Sequence, residues 1–206
     1  MVKPRPSPNS IAYNDDAKPR AGVQAQPKSS GLPPCAIVAM GVSGCGKSTL
    51  VADLAAYLAC PAFEGDDFHA PASIAKMRAG EPLGDADRWP WLDRLGAAIG
   101  AGVRGDGLAV VACSALKRSY RERLERAAGV PLLFVLLDGE RDEIAAQLAA
   151  RARHYMPLSL LDSQFAVLER PASDERALTL HCYAPVETLR RDVLVWAHTA
   201  VTATAG

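Results

Sequence analysis

Eight residues near the start of the chain have the types and spacing of a phosphate-binding loop. Gly41 to Ser48 read GVSGCGKS, which matches the pattern GxxxxGK[ST]. In such a loop the glycines allow successive backbone N–H groups to point at phosphate oxygens, and the following helix adds the positive end of its dipole. Lys47 would reach the β- and γ-phosphates, and the Ser48 hydroxyl would ligate Mg²⁺. The loop therefore predicts binding of a nucleoside triphosphate such as ATP with Mg²⁺.

The context of this loop is the one that the motif requires. An apolar run, CAIVAM, precedes it, and an amphipathic helical pattern follows it. The predicted nucleotide contacts are Gly41, Val42, Ser43, Gly44, Cys45, Gly46, Lys47, Ser48 and Thr49.

Acidic residues follow the second predicted strand, in the stretch FEGDDFH. Because the carboxyl ends of parallel strands face the ligand crevice, we expect Glu64, Asp66, Asp67 and His69 near the phosphate loop. One carboxylate would accept the proton of an attacking hydroxyl, and another would help to hold Mg²⁺ through water. We assign the base to Asp66, although the residues alone leave Glu64 and Asp67 open. The competing interpretation is a solvated acidic turn.

A second polar segment reads KMRAGEPLGDADRWPWLDRL. Pro82 and Pro90 interrupt helical patterns and predict that Asp85, Asp87 and Arg88 lie on a loop. A guanidinium binds a carboxylate with two parallel hydrogen bonds. Arg88 is therefore the candidate for binding a carboxylate of the phosphate acceptor.

A third polar segment, CSALKRSYRERL, follows another apolar run. Only three lysines lie beyond residue 33, at positions 47, 76 and 117, so Lys117 differs from an ordinary solvated surface cation. We expect Lys117 and Arg121 to line the same crevice as Ser114.

A basic stretch, RARHYMP, ends a further helical pattern. Such a segment suits a lid that closes over the nucleotide, excludes water and brings an arginine to the transferring phosphate. Arg151 and Arg153 are the candidates, and Arg151 is assigned the catalytic role. The alternative is that these cations complement the dipole at a helix end.

The elements that carry these residues alternate between strands and helices. Apolar runs predict strands at 35–40, 62–64, 108–113, 132–137 and 177–180. Helical patterns lie between them, which favours an α/β fold with three layers, a parallel sheet having helices on both faces.

Composition limits the classes of protein. Hydrophobic residues make up 49% of the 206 residues, charged residues 22%, and the formal net charge is zero. This is the profile of a globular domain, with no overall field that would attract nucleic acid or a membrane surface, and no apolar run is long enough to span a bilayer. Residues 1–33 are rich in proline and polar residues, so we expect a disordered leader there and one domain over 34–206.

The phosphate loop alone leaves the acceptor open. A GTPase would read guanine with Asn-Lys-x-Asp, but the only asparagines are Asn9 and Asn14. Motors usually need more residues than this chain has, so a small-molecule kinase remains. Two rivals stay open: a shikimate or nucleoside monophosphate kinase on the same fold, and a non-catalytic nucleotide-binding regulator.

Five motifs together resemble the gluconokinase family, in order and in spacing. They are GVSGCGKSTL, GDDFH, IAKMRAGEPLGDADRWPWL, CSALKRSYR and HYMPLSLLDSQFAVLERPASDE. The resemblance covers Ala36 to the C-terminus. It implies an adenylate-kinase-like fold with a five-stranded parallel sheet and a helical lid. It also implies Mg²⁺-dependent transfer of the γ-phosphoryl of ATP to the 6-hydroxyl of D-gluconate, by a cytoplasmic homodimer without nucleic-acid or membrane partners.

The resemblance also implies which residues bind the acceptor. They are Asp66, His69, Arg88, Lys117 and Arg121. Together with the reasoning from residue types, this predicts that Arg88, Lys117 and Arg121 bind the sugar acid, while Arg151 neutralises developing charge.

Overall fold

The computed structural model describes residues 31–150 and 158–202. Within them, five strands and seven α-helices follow one another along the chain. The strands are β1 (Cys35–Met40), β2 (Ala62–Glu64), β3 (Leu108–Ala112), β4 (Leu132–Asp138) and β5 (Ala177–His181). The helices are α1 (Lys47–Leu58), α2 (Pro71–Arg78), α3 (Asp85–Asp106), α4 (Arg118–Ala128), α5 (Arg141–Ala150), α6 (Leu158–Val167) and α7 (Val186–Thr202).

The strands form one parallel sheet in the order β2-β3-β1-β4-β5. The predicted α/β class and the five predicted strands are confirmed, and their ends differ from the prediction by at most one residue. Each strand is short and apolar and is flanked by helices, which is the pattern of a sheet buried on both faces.

The central strand β1 organises the core because all six of its residues are 0% exposed. Ile37 and Ala39 point into a cluster formed with α1 and α7, whereas Val38 and Met40 point into a cluster formed with α3 and α4. This alternation follows from the two-residue period of a strand. The sheet is thus covered on both faces, and the loop after β1 emerges at its carboxyl edge.

The predicted loop around Asp85 is wrong, because helix α3 begins at that residue and continues through Pro90. A proline inside a helix costs about 3 kcal/mol. Trp91 and Leu92, the next two residues, are 1% and 0% exposed, and burial of each such side chain contributes about 1.5–3 kcal/mol. Burial of the helix therefore outweighs the proline, and Arg88 lies in its first turns.

Helices α3 and α4 pack unusually closely along two glycines of α3. A Cβ atom on Gly96 would lie 2.5 Å from the Cβ of Ala127, and one on Gly100 would lie 2.1 Å from the carbonyl oxygen of Ala128. Only glycine permits this approach of the two backbones. The same packing brings the N-terminal ends of both helices together, and these ends carry Arg88 and Lys117.

Several predictions fall outside the described residues. Arg151 and Arg153, with the lid proposed to contain them, are among these, as is the leader up to residue 30. Leu32, at the end of that leader, packs against the core cluster of α1 and α7. Among the described residues, no helix combines the length and the apolar character that a membrane span needs.

We expect Gly100→Ala to lower the free energy of unfolding by about 1–3 kcal/mol or more, because its methyl group overlaps the Ala128 carbonyl. Gly105→Ala is the matched control on the same helix. A Cβ atom there meets nothing within 4 Å, so this change should be neutral or stabilising by up to about 1 kcal/mol. Urea unfolding of both variants measures the difference, and equal stabilities would contradict the close-packing interpretation.

Candidate active site

The phosphate loop leaves β1 and enters α1 with the conformation that its glycines predict. Gly44 and Gly46 have φ of +89° and +98°, in the region that residues with a Cβ rarely adopt. A Cβ on Gly44 would also lie 2.7 Å from the Leu148 side chain. Lys47 Nζ donates to the carbonyl oxygen of Val42 at 2.8 Å. The ammonium is thus folded over the loop, and two of its three hydrogens remain for phosphate oxygens.

The hydroxyl of Ser48 donates to Glu64 Oε2 at 2.7 Å. Burial raises the pKa of Glu64, and the Ser48 hydrogen bond opposes this rise. Because the Ser48 hydroxyl directs its hydrogen at Glu64, its oxygen lone pairs point elsewhere and are suited to a cation. The structure therefore joins β2 to the start of α1 through a pair of oxygen ligands.

These oxygen donors fit Mg²⁺, which prefers oxygen ligands and keeps several waters. Among the described residues, no group of three or more His, Cys, Asp and Glu side chains is arranged to hold a metal. A bound Mg²⁺ would accordingly depend on Ser48, on Glu64 through water, and on the phosphates of the nucleotide.

Helix α3 fixes the 3₁₀ turn Gly65–Phe68 that follows β2. Trp91 Nε1 donates to the carbonyl oxygen of Gly65 at 2.7 Å, and Arg94 Nη2 donates to that of Phe68 at 2.9 Å. The side chain of Asp66 is 85% exposed on this turn. Sequence reasoning missed the anchoring role of Trp91, because the carbonyl it holds lies 26 positions earlier in the chain.

His69 lies beneath this turn and is only 3% exposed. Its ring stacks on Trp91 with centroids 4.3 Å apart, and its Nε2 lies 3.9 Å from Asp66 Oδ1. The buried Nδ1 has no hydrogen-bond partner among the described residues. Burial lowers the pKa of His69 to about 4, despite the opposing charge of Asp66. The imidazole is therefore neutral near pH 7.

Arg88 and Lys117 lie around the ring of Tyr120, at 5.4 and 5.3 Å from its centroid. Lys117 Nζ donates to Asp85 Oδ1 at 2.9 Å, and the Tyr120 hydroxyl donates to the same oxygen. The hydrogen bond from Tyr120, followed by that from Lys117, lowers the pKa of Asp85. We call these four residues the cation cluster.

The structure thus brings together two predicted site residues, Arg88 and Lys117, from different helix ends. Asp85 was noted in the sequence without a role, and Tyr120 was missed. Tyr120 lies in the first turn of α4, three residues after Lys117, which immediately precedes the helix, and that spacing was the signal available.

Arg121 has a different environment and is only 1% exposed. Its guanidinium forms two hydrogen bonds with Glu175, at 2.5 and 2.9 Å. Its Nη1 also faces the carbonyl oxygens of Ala115, Leu116 and Glu169. The guanidinium therefore faces Glu175 and these carbonyls, rather than the cation cluster.

The turn after β3, residues 113–117, is held from two further directions. Gly41 donates its N–H to the carbonyl oxygen of Ser114 at 3.2 Å, and Glu169 donates to that of Leu116 at 2.8 Å. Ala115 within this turn has φ of +43°, which is rare for a residue other than glycine. Lys117 is thus carried by a turn attached directly to the phosphate loop.

Comparison with known proteins relates this arrangement to a family. The family model described as an AAA domain matches residues 37–171. The chain is 48% identical over 145 residues to a gluconokinase of Gluconobacter oxydans, covering 70% of this chain and 81% of that protein. It is 43% identical over 140 residues to the thermosensitive gluconokinase of Escherichia coli, covering 68% and 74%.

A solved structure agrees with these relatives. The crystal structure of a gluconokinase from Sinorhizobium meliloti superposes with a TM-score of 0.72 at 40% identity, covering 83% of this chain and 95% of that one. Residues 37–171, which the family model matches, contain the phosphate loop, the acidic turn and the cation cluster. The chain belongs to the gluconokinase family of phosphate-loop kinases.

Proposed function

We propose that the chain is an ATP-dependent kinase that transfers the γ-phosphoryl group to the 6-hydroxyl of D-gluconate. The observation that carries this proposal is the cation cluster beside an intact phosphate loop, in a member of the gluconokinase family. D-gluconate has one carboxylate for the cations and a terminal hydroxyl for phosphorylation. Relatives that are 38–48% identical carry gluconokinase names, so a shikimate or nucleoside monophosphate kinase is not favoured.

The phosphate loop would bind ATP through its backbone amides and Lys47. Mg²⁺ would bind to Ser48, with Glu64 holding a ligated water, and when bound it would neutralise charge on the phosphates. The Ser48–Glu64 hydrogen bond of 2.7 Å supports this assignment, because it fixes the hydroxyl before metal arrives.

The carboxylate of gluconate would bind to Arg88 and Lys117. Asp85 already occupies Lys117 at 2.9 Å, so a bound carboxylate would replace Asp85 or share the ammonium with it. Arg121 is part of the proposed acceptor site in a supporting role, because its hydrogen bonds hold the turn that carries Lys117.

Asp66 would accept the proton of the attacking hydroxyl. Its exposure, and the engagement of Glu64 with Ser48, support it over Glu64 as the base. Neutral His69, 3.9 Å from Asp66, would contact the acceptor as a hydrogen-bonding group rather than as a cation. Arg151 is retained as the cation that neutralises charge on the transferring phosphoryl group.

The family resemblance also supports a homodimer that acts in the cytoplasm, without nucleic-acid or membrane partners. Light scattering of the purified protein measures its oligomeric state and so tests the proposed homodimer.

The acceptor is tested by a coupled assay over gluconate, shikimate, nucleoside monophosphates and aldoses. We expect kcat/KM for gluconate to exceed the others by at least about a hundredfold, because a site arranged to hydrogen-bond a carboxylate and hydroxyls rejects acceptors that leave its groups unpaired. Comparable turnover of any other acceptor would overturn the substrate assignment.

Lys117→Met should raise KM for gluconate by about ten- to hundredfold, with kcat less affected, because it removes a hydrogen bond to a charged group. Lys76→Met is the control. Lys76 is also paired with a carboxylate of α3, Asp87, at 2.7 Å, but it lies outside the cation cluster. Steady-state kinetics of both variants compare the two lysines, and an equal rise in KM would argue against a specific role for Lys117.

Asp66→Asn should lower kcat by roughly 10²–10⁴-fold, the usual contribution of a general base. Asp67→Asn, a neighbouring exposed carboxylate on the same turn, should retain nearly full activity. If Asp66→Asn phosphorylates gluconate at the wild-type rate, the base is a different residue.

A further inference from the structure

Gln164 connects α6 to the phosphate loop through two hydrogen bonds with a single residue. Its Oε1 accepts from the backbone N–H of Ser43 at 2.6 Å, and its Nε2 donates to Ser43 Oγ at 3.1 Å. The two residues are 121 positions apart in the chain. Because both ends of the amide are used, the contact fixes the backbone and the side chain of Ser43 together.

Helix α6 is anchored on both sides of this contact. Leu161 is 0% exposed in the core cluster of α1 and α7, and Phe165 packs against the same cluster. Beyond the helix, Glu169 accepts from the N–H of Arg118 at 2.7 Å, at the start of α4. The part of α6 that carries Gln164 is therefore held in place on both sides.

The contact determines which groups of Ser43 remain for a ligand. The Ser43 N–H already donates to Gln164, so it differs from a loop amide that points at phosphate. Nε2 occupies a lone pair of Oγ, so the single hydroxyl proton points away from Gln164. Ser43 lies within the phosphate loop Gly41–Ser48, so its hydroxyl is a neutral donor at the predicted phosphate site.

We propose that Gln164 is a positioning residue that orients Ser43, whose hydroxyl donates to the terminal phosphoryl group during its transfer. This inference rests on the proposed phosphoryl transfer from ATP. A donor aimed at developing charge raises kcat more than it lowers KM. Gln164 itself contacts Ser43 and acts only through it.

Gln164→Met removes both hydrogen bonds and keeps a side chain of similar length. We expect kcat to fall about ten- to hundredfold, the value of one hydrogen bond to a charged group, while KM for gluconate stays unchanged. Ser43→Ala should show the same split between kcat and KM. Because the two residues act in series, the double variant should be no slower than the slower single variant.

Ser163→Ala is the matched control on the same helix. Its hydroxyl donates only to the Leu160 carbonyl oxygen, at 2.8 Å, so this variant should keep the wild-type kcat. Wild-type kcat in Gln164→Met, or a double variant whose loss is the product of the single losses, would overturn the proposal. If Gln164→Met does not fold, Ser43→Ala decides alone: unchanged kcat overturns the proposal, and a reduced kcat with unchanged KM supports it.

The activity of the wild-type enzyme distinguishes a failure of this inference from a failure of the proposed function. Absence of gluconate phosphorylation by the wild type would refute the acceptor but leave the Ser43 donor testable. The slow hydrolysis of ATP is then measured in place of gluconate phosphorylation. Transfer of the phosphoryl group to water needs no sugar, but it needs the same Ser43 hydroxyl donor. Loss of this hydrolysis in Gln164→Met and Ser43→Ala, but not in Ser163→Ala, supports the inference, and equal hydrolysis in all three refutes it.

Discussion

The burial of β1 is the constraint on which the rest of the structure depends. Its six residues are 0% exposed and pair with β3 on one side and β4 on the other. A strand so enclosed cannot shift its register without moving side chains of both core clusters to the wrong face. The phosphate loop begins directly after the last residue of β1, so the start of the loop has a fixed position. Glu64, the last residue of β2, and the turn after β3, which carries Lys117, are placed at the same edge by the same sheet.

Three hydrogen-bond donors of the site already have acceptors in the protein. Lys47 donates to Val42, Ser48 donates to Glu64, and Lys117 donates to Asp85. Binding of a carboxylate at Lys117 would exchange or share the partner Asp85, so the affinity there is the difference between two sets of similar hydrogen bonds. In the proposed function the protein would also contribute preorganisation, because these hydrogen bonds hold the donors in place before a phosphate or carboxylate binds.

Local patterns in the sequence predicted the sheet and the phosphate loop because both depend on neighbours along the chain. A buried parallel strand is an apolar run, and the loop is a contiguous motif. The helix through Pro90 was not predicted, since its stability comes from burial of Trp91 and Leu92 against distant residues. Pairing between distant positions has no local signal either. Arg121 meets Glu175 and Gln164 meets Ser43 across 54 and 121 positions, so the sequence predicted that Arg121 binds the sugar acid and gave no sign of its ion pair.

The burial of Arg121 explains how an unfavourable turn can carry Lys117. A residue other than glycine in the left-handed region costs about 1–2 kcal/mol, and Ala115 adopts φ of +43° in the core. Arg121 donates to the carbonyl oxygens of Ala115 and Leu116, at 3.2 and 3.4 Å, and Glu175 neutralises its charge.

A buried ion pair of this kind contributes little net stability, because desolvation offsets attraction. Its effect is on geometry. Any other conformation of the turn would leave the guanidinium without these two carbonyls, and each hydrogen bond to a charged group contributes about 1.5–3 kcal/mol. Losing both bonds costs more than the strain at Ala115. The turn therefore keeps one conformation, and Gly41, which bonds to Ser114 at 3.2 Å, sets the distance between the phosphate loop and the ammonium group of Lys117.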